Sequence, residues 1–145
     1  MKKIILFFIG FIPLLLGYIM NYLMMTVYYD KLLPYGAIGI IFLIAWFGLG
    51  LITYHFANSN IEAMVIAHLF GFIDLILIIF QEVILKHYWS NQIGIITQFF
   101  YLPLINIAGR FVFLSTRVYW IYVVAFVLMC IAFYLGRLVR KKRIE

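Results

Sequence analysis

Residues 63–85 read AMVIAHLFGFIDLILIIFQEVIL, a long apolar run with Asp74 near its midpoint. About 20 apolar residues in a helix are enough to cross the roughly 30 Å hydrocarbon core of a bilayer. The run is longer than that and holds few charges, so it predicts a transmembrane helix.

The composition of the whole chain agrees with this interpretation. Of its 145 residues, 68% are hydrophobic and 11% are charged, against about 45–50% and about 25% in a soluble domain. A soluble domain of this length buries only about 70% of the surface that its unfolded chain exposes. We therefore expect an all-α integral membrane bundle, with residues 1–145 forming a single transmembrane domain.

Three further runs resemble the first in length and hydrophobicity. Pro13 lies within the earliest of them and is expected to kink that helix, because its ring removes a backbone hydrogen bond. Together the four runs predict a bundle of four transmembrane helices at roughly 4–28, 36–56, 63–85 and 118–136.

An outer segment, 87–116, joins the third and fourth predicted spans. Its part 95–116 is apolar enough to compete as a fifth span, but it carries Pro103, Gly109 and Arg110 in close succession. We expect an interfacial or re-entrant segment, in which irregular backbone is tolerated only where protein or water covers it. A fifth span stays open as the alternative.

Basic residues are concentrated at the two ends of the chain. Lys2 and Lys3 precede the first span, and five more lie in the tail 137–145, against four between the spans. Five spans would separate the two basic ends, whereas four place both on the cytoplasmic side of the cell membrane. The net charge of +6 is thus assigned to lipid headgroups rather than nucleic acid. The predicted headgroup- or anion-binding residues are Arg110, Arg137, Arg140, Lys141, Lys142 and Arg143.

The third span has two chemically different sides when it is drawn as a helix. Ala63, Ala67 and Gly71, spaced four apart, lie on one side and permit close helix packing. The polar residues of the span share that side: His68, Asp74, Gln81 and Glu82. The opposite side is apolar and is expected to face lipid; it consists of Val65, Leu69, Phe72, Ile73, Ile76 and Phe80.

Asp74 is the sharpest feature of this helix. An ionised carboxylate at the bilayer centre costs roughly 2.5–3.5 kcal/mol on insertion scales, so Asp74 is either protonated or paired. Candidate partners are His68, Asn21 and Arg110. The functional interpretations are a proton or cation relay and a polar lock to another subunit; the structural one is a protonated Asp74 hydrogen-bonded inside the bundle.

Two of the neighbouring polar residues favour structural roles. Glu82 precedes Lys86 by four residues, the favourable order for an ion pair on a helix surface. His68 could titrate near neutral pH and pass protons, although we favour a buried histidine bonded to a carbonyl.

The function is predicted only to the level of class. No motif of a hydrolase or of phosphoryl transfer occurs, and the three histidines are scattered, so we expect no enzyme, metal or cofactor. We expect a non-enzymatic accessory, regulatory or immunity-type protein in the lipid bilayer, with a membrane-protein partner or as a homo-oligomer. The alternative is a small oligomeric proton- or cation-coupled transporter that uses Asp74.

Overall fold

The computed structural model describes residues 2–29, 31–112 and 117–142, and the regular structure in these ranges is entirely helical. A 3₁₀ turn at Thr53–Phe56 extends the third helix, and a π-helical segment at Phe80–Leu85 extends the fourth. The helices are α1 (Lys2–Ile9), α2 (Ile12–Thr26), α3 (Tyr35–Ile52), α4 (Asn60–Ile79), α5 (Gln92–Phe100), α6 (Ile105–Phe111) and α7 (Tyr119–Lys142).

In the ranges that the structure describes, four segments are long and apolar enough to cross a membrane, or five if the bent pair α5–α6 crosses as one span, which confirms the predicted all-helical class and the four long apolar helices. The last one runs further than predicted, because α7 continues through the basic residues as far as Lys142. Lysine and arginine are good helix formers, and cations near a helix C-terminus are favourable. The four segments are Lys2–Thr26, Tyr35–Phe56, Asn60–Leu85 and Tyr119–Lys142.

The first of these segments is broken between α1 and α2. Pro13 lies in the first turn of α2, where it has no N–H for the carbonyl of Ile9 and its ring would clash with that carbonyl. The predicted kink is therefore present, as a turn at Gly10 and Phe11. It allows α1 to pack on α4 while α2 packs on α5.

Within the described ranges, α3 and α7 form the most extensive helix–helix contact. A Cβ atom at Gly50 would overlap the carbonyl oxygen of Phe133, and one at Gly136 would overlap that of Phe47. Two glycines thus let the backbones approach more closely than side chains would allow. Trp46 and Phe133 fill the buried core beside this contact.

The helices of the bundle meet at two ends, one of which carries basic side chains. Lys3 pairs with Glu62, and Arg137 reaches Asn60, so α1, α4 and the end of α7 meet at one end, called the basic end. The other, called the opposite end, holds the start of α3 and the end of the π-helical segment.

Helices α5 and α6 form a pair bent by 68° at residues 101–104. The start of α5 and the end of α6 both lie at the opposite end. The N–H of Trp89, just before α5, donates to Gln81. Arg110, at the end of α6, lies beside Gly36. The bend lies deeper, where the hydroxyl of Tyr101 donates to the carbonyl of Gly71 at 2.6 Å. The pair thus dips into the bundle and returns, and its bend is covered by protein.

The exposed side of α4 and its π-helical extension agrees with the helical wheel. All six apolar residues assigned to this side are exposed: Val65, Leu69, Phe72, Ile73, Ile76 and Phe80.

Candidate functional site

Arg137 is the most completely bonded ionisable side chain in the described ranges. It is 1% exposed, and its Nε donates to Asn60 Oδ1 at 3.0 Å. Its Nη1 donates to the carbonyl of Thr53 at 2.9 Å and its Nη2 to that of Tyr54 at 3.1 Å. The guanidinium carbon also lies 5.2 Å from the Tyr54 ring centroid. The side chain therefore ties α7 to the connection between α3 and α4.

This placement corrects the prediction that Arg137 binds lipid headgroups. Sequence spacing grouped Arg137 with the tail, but its side chain is buried and bonds to the connection between α3 and α4. Arg140, Lys141 and Lys142 are exposed, and Arg143 lies outside the described residues. Headgroup binding by these tail residues stays a prediction. Arg110 is also exposed, at the end of α6.

His68 is 3% exposed and engages both ring nitrogens. Trp46 Nε1 donates to His68 Nε2 at 3.1 Å, and His68 Nδ1 lies 3.0 Å from the carbonyl of Met64. A neutral imidazole with its proton on Nδ1 satisfies both contacts. His68 therefore bonds to α3 and to its own helix, and it does not bond to Asp74.

Gln81 is fully buried on the π-helical segment. Its Oε1 accepts from the N–H of Trp89 at 2.8 Å, and its Nε2 donates to the carbonyl of Leu77 at 3.3 Å. A longer contact of 3.5 Å joins Nε2 to Thr97 Oγ1. Gln81 thus holds the start of the outer segment against α4.

Glu82 bonds to two other residues at the opposite end of the bundle. Its Oε2 accepts from the Tyr88 hydroxyl at 2.6 Å, and its Oε1 accepts from the N–H of Val118 at 2.9 Å. Burial and then the hydrogen bond to Glu82 raise the pKa of Tyr88, so its phenol stays a donor. The predicted ion pair with Lys86 is wrong for the described residues, because Lys86 ends the helix at a φ of 56° and loses the helical spacing.

Small residues on the same side of α4 lie at helix contacts. Ala63 and Ala67 are buried, and a Cβ at Gly10, in the turn that follows α1, would lie 2.7 Å from the carbonyl oxygen of Ala67. Gly71 faces the ring of Phe100. The stripe therefore packs against α1 in its first half and against the outer segment in its second.

Asp74 differs from all these groups. It is 3% exposed, and within the described ranges its Oδ2 is buried without a hydrogen-bond partner. None of the three predicted partners donates to it. It lines a crevice of about 160 Å³ between α4 and α5, whose other walls are Phe70, Ile73, Leu77, Ile93, Ile96 and Thr97.

Comparisons with known proteins do not assign the chain to a family. No family model, curated protein or solved structure matches it. Its candidate site is therefore defined by the geometry of its own side chains.

Two larger grooves, of about 470 and 450 Å³, lie elsewhere on the bundle. One runs between α2 and α5 from Phe11 to Phe99, and the other lies between α4 and α7 around Phe72 and Phe126. Their walls are almost wholly apolar, so lipid acyl chains would suffice to fill them in a bilayer. Of these three cavities in the described part of the chain, the smaller crevice is the one lined by a residue with an unpaired polar atom.

The sequence pattern indicated Asp74 as a candidate site residue, but it did not indicate the residues that line the crevice with it. Thr97 is 1% exposed, donates to the carbonyl of Gly94 at 2.9 Å and lines the crevice from α5. Its position depends on how the outer segment folds back on α4, and no local pattern in the sequence reports that.

Proposed function

We propose that the chain is a small multi-pass protein of the cell membrane, with four transmembrane helices and both termini in the cytoplasm. Four segments of sufficient length and hydrophobicity support the spans. The orientation is supported by seven basic residues near the two termini against four between the spans. The bent α5–α6 pair is then a re-entrant segment that enters from and returns to the outer face.

Within this architecture, we propose that the protein acts as a non-enzymatic accessory, regulatory or immunity-type partner of a larger membrane system. The proposal is supported by the difference between Asp74 and the other buried polar side chains. The buried polar side chains Arg137, His68 and Gln81 all bond within the chain, whereas Asp74 keeps an unpaired oxygen. Ionisable residues inside membranes are rare and pair with one another or mark functional sites. Asp74 lines a crevice with exposed walls, and a helix of another protein that packs over this crevice would cover those walls.

The test is crosslinking in intact native membranes, followed by purification in mild detergent and mass spectrometry. We expect a specific larger membrane protein with the parent chain, and a strong loss of that protein with Asp74→Asn. Glu62→Gln is the matched control, because it neutralises another carboxylate on α4 outside the crevice. Recovery of self-crosslinked oligomers alone, unchanged by Asp74→Asn, would refute the accessory function.

A second candidate is a small proton- or cation-coupled transporter, which the presence of Asp74 in a crevice favours. A relay needs a second group that exchanges protons with the first, and the bonds of His68 to Trp46 and Met64 give it no link to Asp74. This candidate predicts pH-dependent flux in proteoliposomes that Asp74→Asn abolishes while assembly is unchanged. Flux that is absent from the parent, or that survives the substitution, excludes it.

A further inference from the structure

The unpaired oxygen of Asp74 has no donor in the described part of the chain. A buried polar group without a partner loses the hydrogen bonds that water gave it in the unfolded chain, and this destabilises the protein. The surrounding hydrocarbon offers no water to replace the missing bond. Asp74 is 3% exposed, and its Oδ2 is buried. The chain on its own therefore leaves this oxygen without a hydrogen bond.

The described chain has no cation placed to supply this bond. Arg137, its fully buried base, is bonded to the connection between α3 and α4 at the basic end. The other basic residues lie near helix ends or in connections, namely Lys2, Lys3, Lys31, Lys86, Arg110, Arg117, Arg140, Lys141 and Lys142. A second copy of the chain would contribute the same basic residues, and none of those described lies at the depth of Asp74. A cation at this depth would therefore be supplied by a different protein.

The crevice has the size and lining for one long basic side chain. Its volume of about 160 Å³ equals several water molecules at roughly 30 Å³ each. The walls are apolar except for Asp74 and Thr97, and the Thr97 hydroxyl is already bonded to Gly94. Such walls suit the aliphatic stem of lysine or arginine, with the charged group at the buried end.

The entrance to the crevice lies on the surface of the bundle. Three of its wall residues are exposed, Ile73 at 48%, Ile93 at 52% and Ile96 at 41%. These three side chains do not belong to the buried core cluster. A hard metal ion is a poorer fit, because it needs about six oxygen ligands and the walls offer Asp74 and Thr97.

We infer that the crevice between α4 and α5 receives a lysine or arginine side chain from a transmembrane helix of a different membrane protein, with Asp74 as its counter-ion. The inference rests on the proposed accessory function and adds the chemistry by which the partner is recognised. It requires that the partner helix carry its basic residue near the middle of the membrane, at the depth of Asp74.

The test uses the full chain, labelled at its C-terminus and reconstituted in phosphatidylcholine liposomes. The probes are two acceptor-labelled oligoleucine transmembrane helices, one with a single central lysine and one with leucine at that position. Binding is measured by resonance energy transfer. Polar contacts between membrane helices contribute about 1–2 kcal/mol in model peptides, so we expect a roughly tenfold preference for the lysine helix. Asp74→Asn and Asp74→Leu should abolish the preference, and Glu62→Gln should keep it.

Each other outcome has a definite meaning. Equal binding of the two probes, or a lysine preference that persists in Asp74→Leu, overturns the inference. Asp74-dependent transfer between two copies of the chain, without a lysine preference, overturns it in favour of a homo-oligomer. A native partner recovered from membranes without a lysine preference removes this inference alone. A lysine preference without any native partner removes the accessory function alone.

Discussion

Arg137 and Asp74 are both buried ionisable residues, yet their surroundings are opposite. Arg137 is 1% exposed and donates three hydrogen bonds of 3.1 Å or less, to Asn60, Thr53 and Tyr54. Asp74 is 3% exposed and leaves one oxygen with no partner. Burial is therefore a poor indicator of a functional site in this bundle, and the completeness of the hydrogen bonds is a better one.

The two residues also lie at different depths, which explains the contrast. Near the ends of the bundle the helix connections expose backbone carbonyl and N–H groups, and Arg137, Gln81 and Glu82 bond to them. Midway along a helix the backbone N–H groups are bonded within the helix. A carboxylate such as Asp74 then depends on a side-chain donor, and none in the described ranges bonds to its Oδ2.

The largest effect is expected from removing the bonds at the basic end. Arg137→Met leaves the carbonyls of Thr53 and Tyr54 without their charged donor, and it should cost about 3 kcal/mol of unfolding free energy. Arg137→Lys should recover only part of this, because it keeps the charge and lacks the planar fork. Thermal unfolding in detergent micelles measures the loss. Arg140→Met, three residues later and exposed, is the control, and equal unfolding temperatures for the two methionine variants would contradict the bracing role.

A smaller effect is expected at the contact of α3 with α7. Gly50→Ala places a methyl group against the carbonyl of Phe133 and should cost about 2 kcal/mol through overpacking. Gly48→Ala, on the same helix, has nothing within 4 Å of the added atom. It should be neutral or gain up to about 1 kcal/mol, since alanine favours helix more than glycine does. The same melting experiment distinguishes them, and a reversed order would disprove the close contact.

A local effect is expected at the opposite end. Gln81→Leu removes the acceptor of the Trp89 N–H and should cost about 1 kcal/mol. Amide hydrogen exchange at Trp89 should then be several-fold faster, while exchange in the middle of α7 is unchanged. Gln92→Leu, at an exposed position on α5, is the control. Unchanged exchange at Trp89 would show that Gln81 does not brace this connection.

Most of the helical framework could be predicted because its signals are local. Length and hydrophobicity located the four long segments, and the 3.6-residue period separated the exposed side of α4 from the side that carries Asp74. Pro13 located the break in the first segment, since a proline acts on the carbonyl four residues before it.

The side-chain partners could not be predicted, because they depend on contacts distant in sequence. Arg137 bonds to Thr53 across 84 residues, so its charge alone placed it with the basic tail. Glu82 was paired with Lys86 on the assumption of a regular helix, and the π-helical segment and the left-handed turn at Lys86 break that spacing. Thr97 lines the crevice with Asp74 because the chain turns back at residues 86–91 and places α5 along α4.

The contrast between the two buried residues is tested most directly by comparing Asp74→Leu with Arg137→Met in the purified protein. Replacing an unpaired buried carboxyl by an apolar side chain of similar size removes a desolvation cost of about 1–3 kcal/mol. Asp74→Leu should therefore unfold at the same temperature as the parent or a higher one, under conditions in which Arg137→Met unfolds well below it. If Asp74→Leu lowers the unfolding temperature as much as Arg137→Met does, Asp74 stabilises the fold. The proposal that Asp74 binds a partner would then be contradicted.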